Sequence, residues 1–312
     1  MARKPKATKT ITPDIDPDRA TGLDILDGME AHEEYEVPEI DLDFSLSGDL
    51  KEMAQKMGRI EAENLVKVFY RLQDQRIRAG GQTFALTKLD QPNRVVGWVE
   101  HHMHELERRV GKLIDYYSQE KEVAQWARAQ KGIGPIFASA LMAMVDPVRT
   151  QTAGDLWAYA GLVPGQRRKR GEKLNWNPHL KVLAWKIGKS FVKVSGREDA
   201  FYGKVFKDRK AYEMAKNEKG EYAEAAARYL AGRDYGKDTG ARKTLESGKL
   251  PPFLIQARSE RYAAKLFLAH FLEVYRNIEG LPVVAPWAIA HGGHAHYIAP
   301  PGWEMRPTKQ AA

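Results

Sequence analysis

The stretch KGIGPIFASALMAMV, from Lys131 to Val145, stops one helical pattern and starts another. Gly132 and Gly134 flank a single isoleucine, and Pro135 follows directly. Glycine adopts backbone conformations that other residues avoid. Proline is favoured at the first position of a helix, where its missing N–H is not needed. The pattern therefore predicts two short helices joined by a tight turn.

Turns of the pattern glycine–hydrophobic–glycine are typical of the helix-hairpin-helix motif, which binds nucleic-acid phosphates. Exposed amides at such a turn and at the start of the following helix form an anion site. We expect Ile133 to fill the space between the two helices and Lys131 to add positive charge beside the turn. An ordinary corner between two helices is the alternative, and the basic residues that follow favour DNA binding over it.

Basic residues follow the turn in two groups. The first is a contiguous run in a predicted loop, and the second recurs at steps of three and four on a helix predicted to begin at Asn177 and Pro178. Such grouping is typical of a surface that binds the nucleic-acid backbone, although a charge run can also be only a solvated face. The residues predicted to contact nucleic acid are Lys131, Gly132, Ile133, Gly134, Arg167, Arg168, Lys169, Arg170, Lys186, Lys189, Lys193 and Arg197.

Two local patterns define the helices of this region. Thr152 and Asp155 predict a capping box at the start of a short helix that ends at Gly161. Apolar residues at helical spacing predict the buried stripe of the basic helix. This stripe consists of Leu180, Leu183, Ala184, Ile187, Phe191 and Val194.

Charge is unevenly distributed along the chain. Residues 1–50 contain 5 Lys and Arg against 13 Asp and Glu, which leaves 44 of the 49 basic and 28 of the 41 acidic residues for 51–312. A basic body of this kind suits a polyanionic partner. The absence of cysteine excludes disulfides and thiol catalysis. We expect a cytoplasmic location and no membrane partner, because no apolar run approaches the roughly 20 residues of a membrane helix and no signal-peptide pattern follows the basic start.

Apolar residues recur at heptad spacing before the turn, which predicts a coiled-coil helix. This helix can pair with the preceding helix of the same chain or with its copy in another subunit, and a homo-oligomer is expected. The preceding helix is predicted from Leu46, Leu50, Met53, Met57 and Ile60. The heptad seam consists of Val96, Val99, Met103, Leu106, Val110, Leu113 and Tyr117.

The C-terminal third carries fewer signals. Tyr202 and Tyr212 are considered as nucleophiles, although scattered tyrosines more often serve packing. His270 adjoins the buried face of an amphipathic helix and is expected to be a core residue. Three imidazoles close in sequence would suit a divalent metal, with a polar loop as the alternative, and no other cofactor is expected. These candidate metal ligands are His291, His294 and His296.

Together the patterns predict a mainly α-helical fold, with a coiled-coil helical hairpin, a helix-hairpin-helix domain and a helical C-terminal extension. The predicted segments are an acidic, disordered head (1–44), coiled-coil helices (45–128), a helix-hairpin-helix DNA-binding domain (129–200), a polar helical insertion (201–250) and a C-terminal helix with a His-rich tail (251–312).

Three elements together resemble a known family: the turn, the stretch LWAYAGLVPGQR from Leu156 to Arg167, and the heptad helix. They are similar to the C-terminal half of Piv-type insertion-sequence transposases, recombinases that use a bridge RNA, over roughly residues 93–195. In that family a RuvC-like domain with four acidic residues precedes a coiled coil and a helix-hairpin-helix domain with a catalytic serine. The resemblance implies DNA as the partner in transposition, recombination or mobile-element maintenance. It also implies a guide RNA or a catalytic partner subunit as further candidate partners.

The chain departs from the family's pattern at both catalytic elements. The family's serine lies a few residues after its Gly-Leu-x-Pro element, whereas the chain from Gly165 to Pro178 contains no Ser or Thr. Residues 1–44 are too few for a RuvC-like domain, so their carboxylates are not expected to form a metal site. No catalytic residue is therefore assigned. The alternatives are an active recombinase or nuclease with a relocated nucleophile or a His metal site, and a coiled-coil assembly protein that binds RNA or another protein.

Overall fold

The structure, a computed structural model, describes residues 46–91, 93–166, 171, 173–232, 234–236, 238–284 and 297–307. Regular structure in these ranges consists of α-helices without any strand, which confirms the predicted mainly α-helical fold class. The predicted acidic head, residues 1–44, lies outside the described residues. The helices are α1 Gly48–Lys56, α2 Arg59–Lys88, α3 Arg94–Ser118, α4 Glu122–Ala129, α5 Pro135–Met144, α6 Ala153–Tyr159, α7 Pro178–Lys193, α8 Phe201–Glu218, α9 Ala223–Gly232, α10 Gly240–Glu246 and α11 Pro252–Ile278.

The chain divides into two compact units. Of the described residues, the smaller unit contains 72–91 and 93–105, and the larger contains 46–71 and those from 106 onward. In the smaller unit, the rings of Trp98 and His102 are in contact, with their centroids 4.2 Å apart and their planes inclined by 36°. Val99, a residue of the predicted seam, is 37% exposed, so this part of the seam keeps apolar surface open to solvent. Pairing of the seam with a second chain stays a prediction.

The first predicted apolar row does not form a buried face. Met53 and Ile60 are 65% and 69% exposed, and α2 buries a different set of residues within the larger unit. Spacing by three and four places residues on one face of a helix, but it does not determine which face a partner covers. The buried residues of this part of α2 are Ala62, Val66 and Phe69.

The second half of α3 follows the predicted seam more closely. Val110 and Tyr117 are buried as expected, and Ile114 is buried where Leu113 was predicted. A Cβ added at Gly111 would lie 3.3 Å from Cε2 of Phe69, so α2 and α3 approach closely at this level of the larger unit.

The C-terminal helix α11 lies in the core of the larger unit, where it packs against α4, α6, α7 and α8. Its Phe267 ring stacks on Trp126 of α4, with centroids 6.0 Å apart. The same ring meets Phe191 of α7 and Tyr202 of α8 edge-on, at 5.5 and 5.1 Å. The sequence indicated that α11 has a buried face, and the structure adds that this face connects α4 with α7 and α8.

His270 is a core residue of α11, as predicted. Its Nε2 lies 2.8 Å from the carbonyl oxygen of Ile298, and its Nδ1 lies 2.8 Å from the hydroxyl of Tyr202. Because a carbonyl only accepts, Nε2 carries the proton and Nδ1 accepts from the tyrosine. Burial lowers the pKa of His270 to about 4, so the ring is neutral near pH 7. The ring thereby attaches the chain at residue 298 to the core.

Candidate nucleic-acid interface

The helices α4 and α5 are joined by a tight turn at residues 130–134, as predicted; these residues are called the hairpin turn below. Ile133 is 5% exposed, which confirms its expected place inside the hairpin. The amide of Ile133 donates to the carbonyl of Gln130 at 3.0 Å. The Gln130 side chain in turn donates to the carbonyls of Trp126 and Pro301, at 3.1 and 3.3 Å. The side chain of Gln130 therefore connects the hairpin turn to α4 and to the C-terminal segment at Pro301.

Gly132 is the residue at which the hairpin turn requires glycine. Its φ is +96°, a value that residues with a side chain rarely adopt. An added Cβ would also lie 3.2 Å from Cδ1 of Phe191 and 3.3 Å from both Oγ of Ser190 and Cγ2 of Val194. The Ser190 hydroxyl donates to the carbonyl of Gly132 at 2.6 Å. The C-terminal part of the basic helix α7 thus supports the turn directly.

Gly134 differs from Gly132, and the expectation that its backbone also requires glycine is wrong. Its φ of −91° and ψ of 177° are open to any residue, and an added Cβ would have no atom within 4 Å. Gly134 is the N-cap of α5, and no side chain caps this end. The first helical hydrogen bond of α5 runs from the amide of Ala138, so the amides of Ile136 and Phe137 precede it. An exposed helix start without a side-chain cap has the geometry of an anion site.

Lys131 and Arg197, two predicted contact residues, meet at an acid that the sequence did not indicate. Asp199 Oδ2 lies 3.3 Å from Nζ of Lys131, and Asp199 also accepts from Nε and Nη2 of Arg197 at 3.0 and 3.3 Å. The Arg197 guanidinium and then the Lys131 ammonium lower the pKa of Asp199 to about 2. The carboxylate is therefore ionised at neutral pH and offsets part of the positive charge beside the hairpin turn.

The predicted basic stripe of α7 divides into residues with different surroundings. Lys186 Nζ lies 3.9 Å from the ring centroid of Tyr70, and Lys189 Nζ lies 3.3 Å from Oε1 of Glu260. Both lysines are half-buried, whereas Lys193 is exposed. The other side of α7 is buried as predicted, with Val194 half-buried at its end. The contacts of Lys186 and Lys189 limit how far these two side chains can reach toward a ligand.

The predicted basic loop begins and ends at the C terminus of α6. The side chain of Gln166 donates to the carbonyl of Ala158 at 3.2 Å and to Oδ1 of Asn175 at 3.4 Å. On the far side of the loop, the amide of Asn177 donates to the carbonyl of Tyr159 at 2.8 Å. Residues 167–170 lie outside the described residues, but the two ends that carry them are fixed close together.

The helix that holds this loop forms as the sequence predicts. Thr152 and Asp155 make the capping box at the start of α6, with the Thr152 amide 2.9 Å from Oδ2 of Asp155. After the helix, Gly161 has a φ of +64°, and an added Cβ would lie 2.9 Å from the Trp176 ring. Gly161 therefore both ends α6 and allows the returning chain to pack against it.

Three hydroxyl groups of the larger unit, including that of the candidate nucleophile Tyr202, make structural hydrogen bonds. Ser139 is fully buried in α5 and donates to the carbonyls of Pro135 and Ile114, at 2.7 and 3.0 Å. Ser190 is bonded to the hairpin turn, and Tyr202 is 1% exposed and bonded to His270. These hydroxyls are occupied in holding the fold.

The candidate metal ligands His291, His294 and His296 lie outside the described residues. Within the described ranges, no three His, Asp or Glu side chains are grouped so that they could hold a metal ion. No helix in the same ranges is both long and apolar enough to cross a membrane.

The comparisons with known proteins identify the part of the chain around the hairpin. Residues 124–202 match the family described as Transposase IS116/IS110/IS902 family. Residues 124–202 are called the transposase-family domain below, after the family that they match. This domain runs from α4 to the start of α8 and includes the hairpin turn, α6 and the basic helix α7, so the resemblance seen in the sequence is confirmed for these elements. No curated protein and no solved structure matches the chain.

Proposed function

We propose that the transposase-family domain binds the phosphate backbone of duplex or branched DNA through the hairpin turn, in transposition, recombination or mobile-element maintenance. The observation that carries this proposal is the exposed start of α5, with no side-chain cap, inside a transposase-family domain. Gly134 leaves open space in front of it, so a phosphate can reach the amides of Ile136 and Phe137. The acceptor groups of a phosphate would complete the hydrogen bonding of this helix end.

Positive side chains of the same domain support the proposal. Lys131 and Arg197 lie beside the hairpin turn. The basic run 167–170 lies outside the described residues, and in the sequence it stands between α6 and α7 of the same domain. Backbone amides and basic side chains recognise phosphates and not bases, so the binding is expected to depend little on sequence. Each phosphate neutralised releases condensed counterions, so the affinity is expected to fall steeply with salt.

Asp199 is proposed to compete with the bound phosphate. Its carboxylate holds the same two cations that a phosphate near the turn would use. Binding of DNA then exchanges one anion partner of Lys131 and Arg197 for another. Lys131 and Arg197 are therefore proposed to add less to the DNA-binding free energy than two unpaired cations would. The helix-start amides and the basic loop are proposed to contribute the larger part of that free energy.

The experiment measures binding of a labelled DNA duplex by fluorescence anisotropy across a salt series. Replacing residues 167–170 together by alanine should weaken binding to all sequences and flatten the slope of log affinity against log salt by about 0.9 for each phosphate that the variant no longer neutralises. The matched control removes four exposed charges elsewhere: Lys207, Lys219, Arg228 and Lys243. If both variants change the slope equally, the loop does not bind DNA specifically and this part of the proposal is wrong.

The remaining expectations stay predictions. They comprise a cytoplasmic location, a homo-oligomer formed through the coiled coil, and a guide RNA or a catalytic partner subunit. Neither a metal at the histidine group nor catalysis by the chain alone is part of the proposal.

A further inference from the structure

A second basic and aromatic surface is centred where α8 and α11 pack together, on residues that follow the transposase-family domain in the chain. Four residues of each helix follow the same spacing, i, i+3, i+4 and i+7, which places each set on one face. On α8 the set is Arg209, Tyr212, Glu213 and Lys216. On α11 the set is Arg258, Arg261, Tyr262 and Lys265.

The Arg209 guanidinium lies over two tyrosine rings at this surface. Its Cζ is 4.9 Å from the ring centroid of Tyr212 and 4.5 Å from that of Tyr262. As whole residues, Tyr212 and Tyr262 are 51% and 37% exposed, so both lie at the surface. Glu213, which is buried, accepts from Nε and Nη2 of Arg209 at 2.8 and 2.5 Å. The planar cation is therefore held in a fixed orientation beside two accessible rings.

The same carboxylate also holds a second cation. Nε of Arg258 donates to Oε2 of Glu213 at 2.7 Å, and the Tyr222 hydroxyl donates to the same oxygen at 2.5 Å. One buried carboxylate thus faces two guanidinium groups, Arg209 and Arg258. The cluster keeps an excess of positive charge, which would attract an anionic ligand.

Cations and aromatic rings continue alternating along α11 toward α6. Nζ of Lys265 lies 4.0 Å from the ring centroid of Trp157, whose Nε1 donates to the carbonyl of Lys265 at 3.0 Å. Arg261, one turn earlier on the same face, is exposed. The surface therefore extends over α8, α11 and α6 with fixed rings and positive charges side by side.

We propose that this surface binds single-stranded nucleic acid, with unpaired bases stacking on Tyr212 and Tyr262 and phosphates near Arg258 and Arg261. Grooves that bind single strands combine aromatic stacking with positive charge, and stacking tolerates every base because each has a π-face. Bases in a duplex are stacked on one another and do not present these faces. The ligand and the site both differ from those of the duplex contact at the hairpin turn, and this proposal goes beyond that function.

The experiment uses the full chain and three labelled ligands: oligo(dT), oligo(U) and a blunt DNA duplex. Tyr212→Ala and Tyr262→Ala should each weaken binding of the single strands about 5- to 150-fold, the range that corresponds to about 1–3 kcal/mol for one stacked base. Tyr212→Phe and Tyr262→Phe should retain binding, because phenylalanine keeps the ring. The matched control is Tyr229→Ala, which removes an exposed tyrosine of α9. Duplex binding should be unchanged in all five variants, and comparison of oligo(dT) with oligo(U) shows whether the strand is DNA or RNA.

A second measurement does not depend on the folding of a variant. Photo-cross-linking of the unaltered protein to an oligonucleotide that contains 5-iodouridine should label peptides of α8 or α11 that carry Tyr212 or Tyr262. The proposal would be overturned if the protein bound single strands without these cross-links. It would also be overturned if both alanine variants bound single strands as the unaltered protein does, or if Tyr229→Ala weakened single-strand binding equally. If the duplex contact at the hairpin turn were absent, only the duplex signal would be lost, so the two proposals fail separately.

Discussion

Replacing the two glycines of the hairpin turn by alanine, one at a time, separates a structural glycine from an accessible one. At Gly132, the φ of +96° costs about 1–3 kcal/mol for a residue with a side chain. The added methyl group would also press on Phe191 and Val194 from 3.2 and 3.3 Å, and such overpacking costs about 1–3 kcal/mol. Gly132→Ala is therefore expected to lower the free energy of unfolding by about 2–6 kcal/mol.

Gly134→Ala is the matched control for this change. Its backbone conformation is open to alanine, and the added Cβ would meet no atom within 4 Å. The smaller freedom of the unfolded chain stabilises the variant by about 0.4–1 kcal/mol, and this gain is offset because alanine is a poorer N-cap than glycine. We expect the free energy of unfolding to change by no more than about 0.5 kcal/mol.

Urea unfolding followed by far-UV circular dichroism measures both variants against the unaltered protein. The dependence of the free energy on urea should be the same for all three, so that the midpoints report stability alone. The distinction between the two glycines would be refuted if both variants lost the same free energy of unfolding, or if the Gly134 variant lost more. Because Gly134→Ala keeps the fold, a loss of duplex binding in this variant, or in Gly134→Val, would report close approach of a phosphate to the turn.

Four further outcomes are expected. Asp199→Asn should strengthen duplex binding and steepen its salt dependence, because the anion beside the turn is removed; weaker binding in the anisotropy assay would contradict this. The pKa of His270 is lowered from 6.5 to about 4 in the folded protein, so the unfolded chain binds more protons and the free energy of unfolding should fall as the pH falls from 6.5 toward 4. In urea unfolding at several pH values, His270→Gln should make the free energy of unfolding depend less on pH in this range. An unchanged pH dependence in this variant would contradict the assignment to His270. Leu106→Glu places a charge in the predicted heptad seam, and sedimentation measures its effect. If the seam pairs between chains, the variant should dissociate a dimer; if the seam pairs within one chain, the variant should unfold a monomer. No change would show that the seam is an exposed surface. Supercoiled DNA incubated with the protein and Mg²⁺ should stay intact, and nicking that disappears in Ser190→Ala would show that this hydroxyl is a nucleophile.

Features that depend on neighbouring residues could be predicted from the sequence. The break at Gly132, the capping box of Thr152 and Asp155 and the buried stripe of α7 all form as expected. Each of them is decided by residues within a few positions of one another, through backbone conformation, a side chain that bonds the helix start, or spacing on one helix face. The family resemblance depended on the same local elements.

Features of the candidate site that depend on distant contacts could not be predicted in this way. The sequence gives no sign that Asp199 neutralises Lys131, or that Ser190 of α7 bonds the carbonyl of Gly132. Lys186 and Lys189 belong to one basic stripe in the sequence, yet their partners Tyr70 and Glu260 lie on two other helices.

The place of α11 shows the same division. Its spacing alone established that the helix has an apolar face, whereas its position in the core, between α4 and the pair α7 and α8, was decided by the tertiary structure. The helical pattern reflects which side of a helix avoids water. The choice of partner depends on the shapes of Phe267, Trp126 and Phe191, which are brought together from separate parts of the chain only when the whole unit folds.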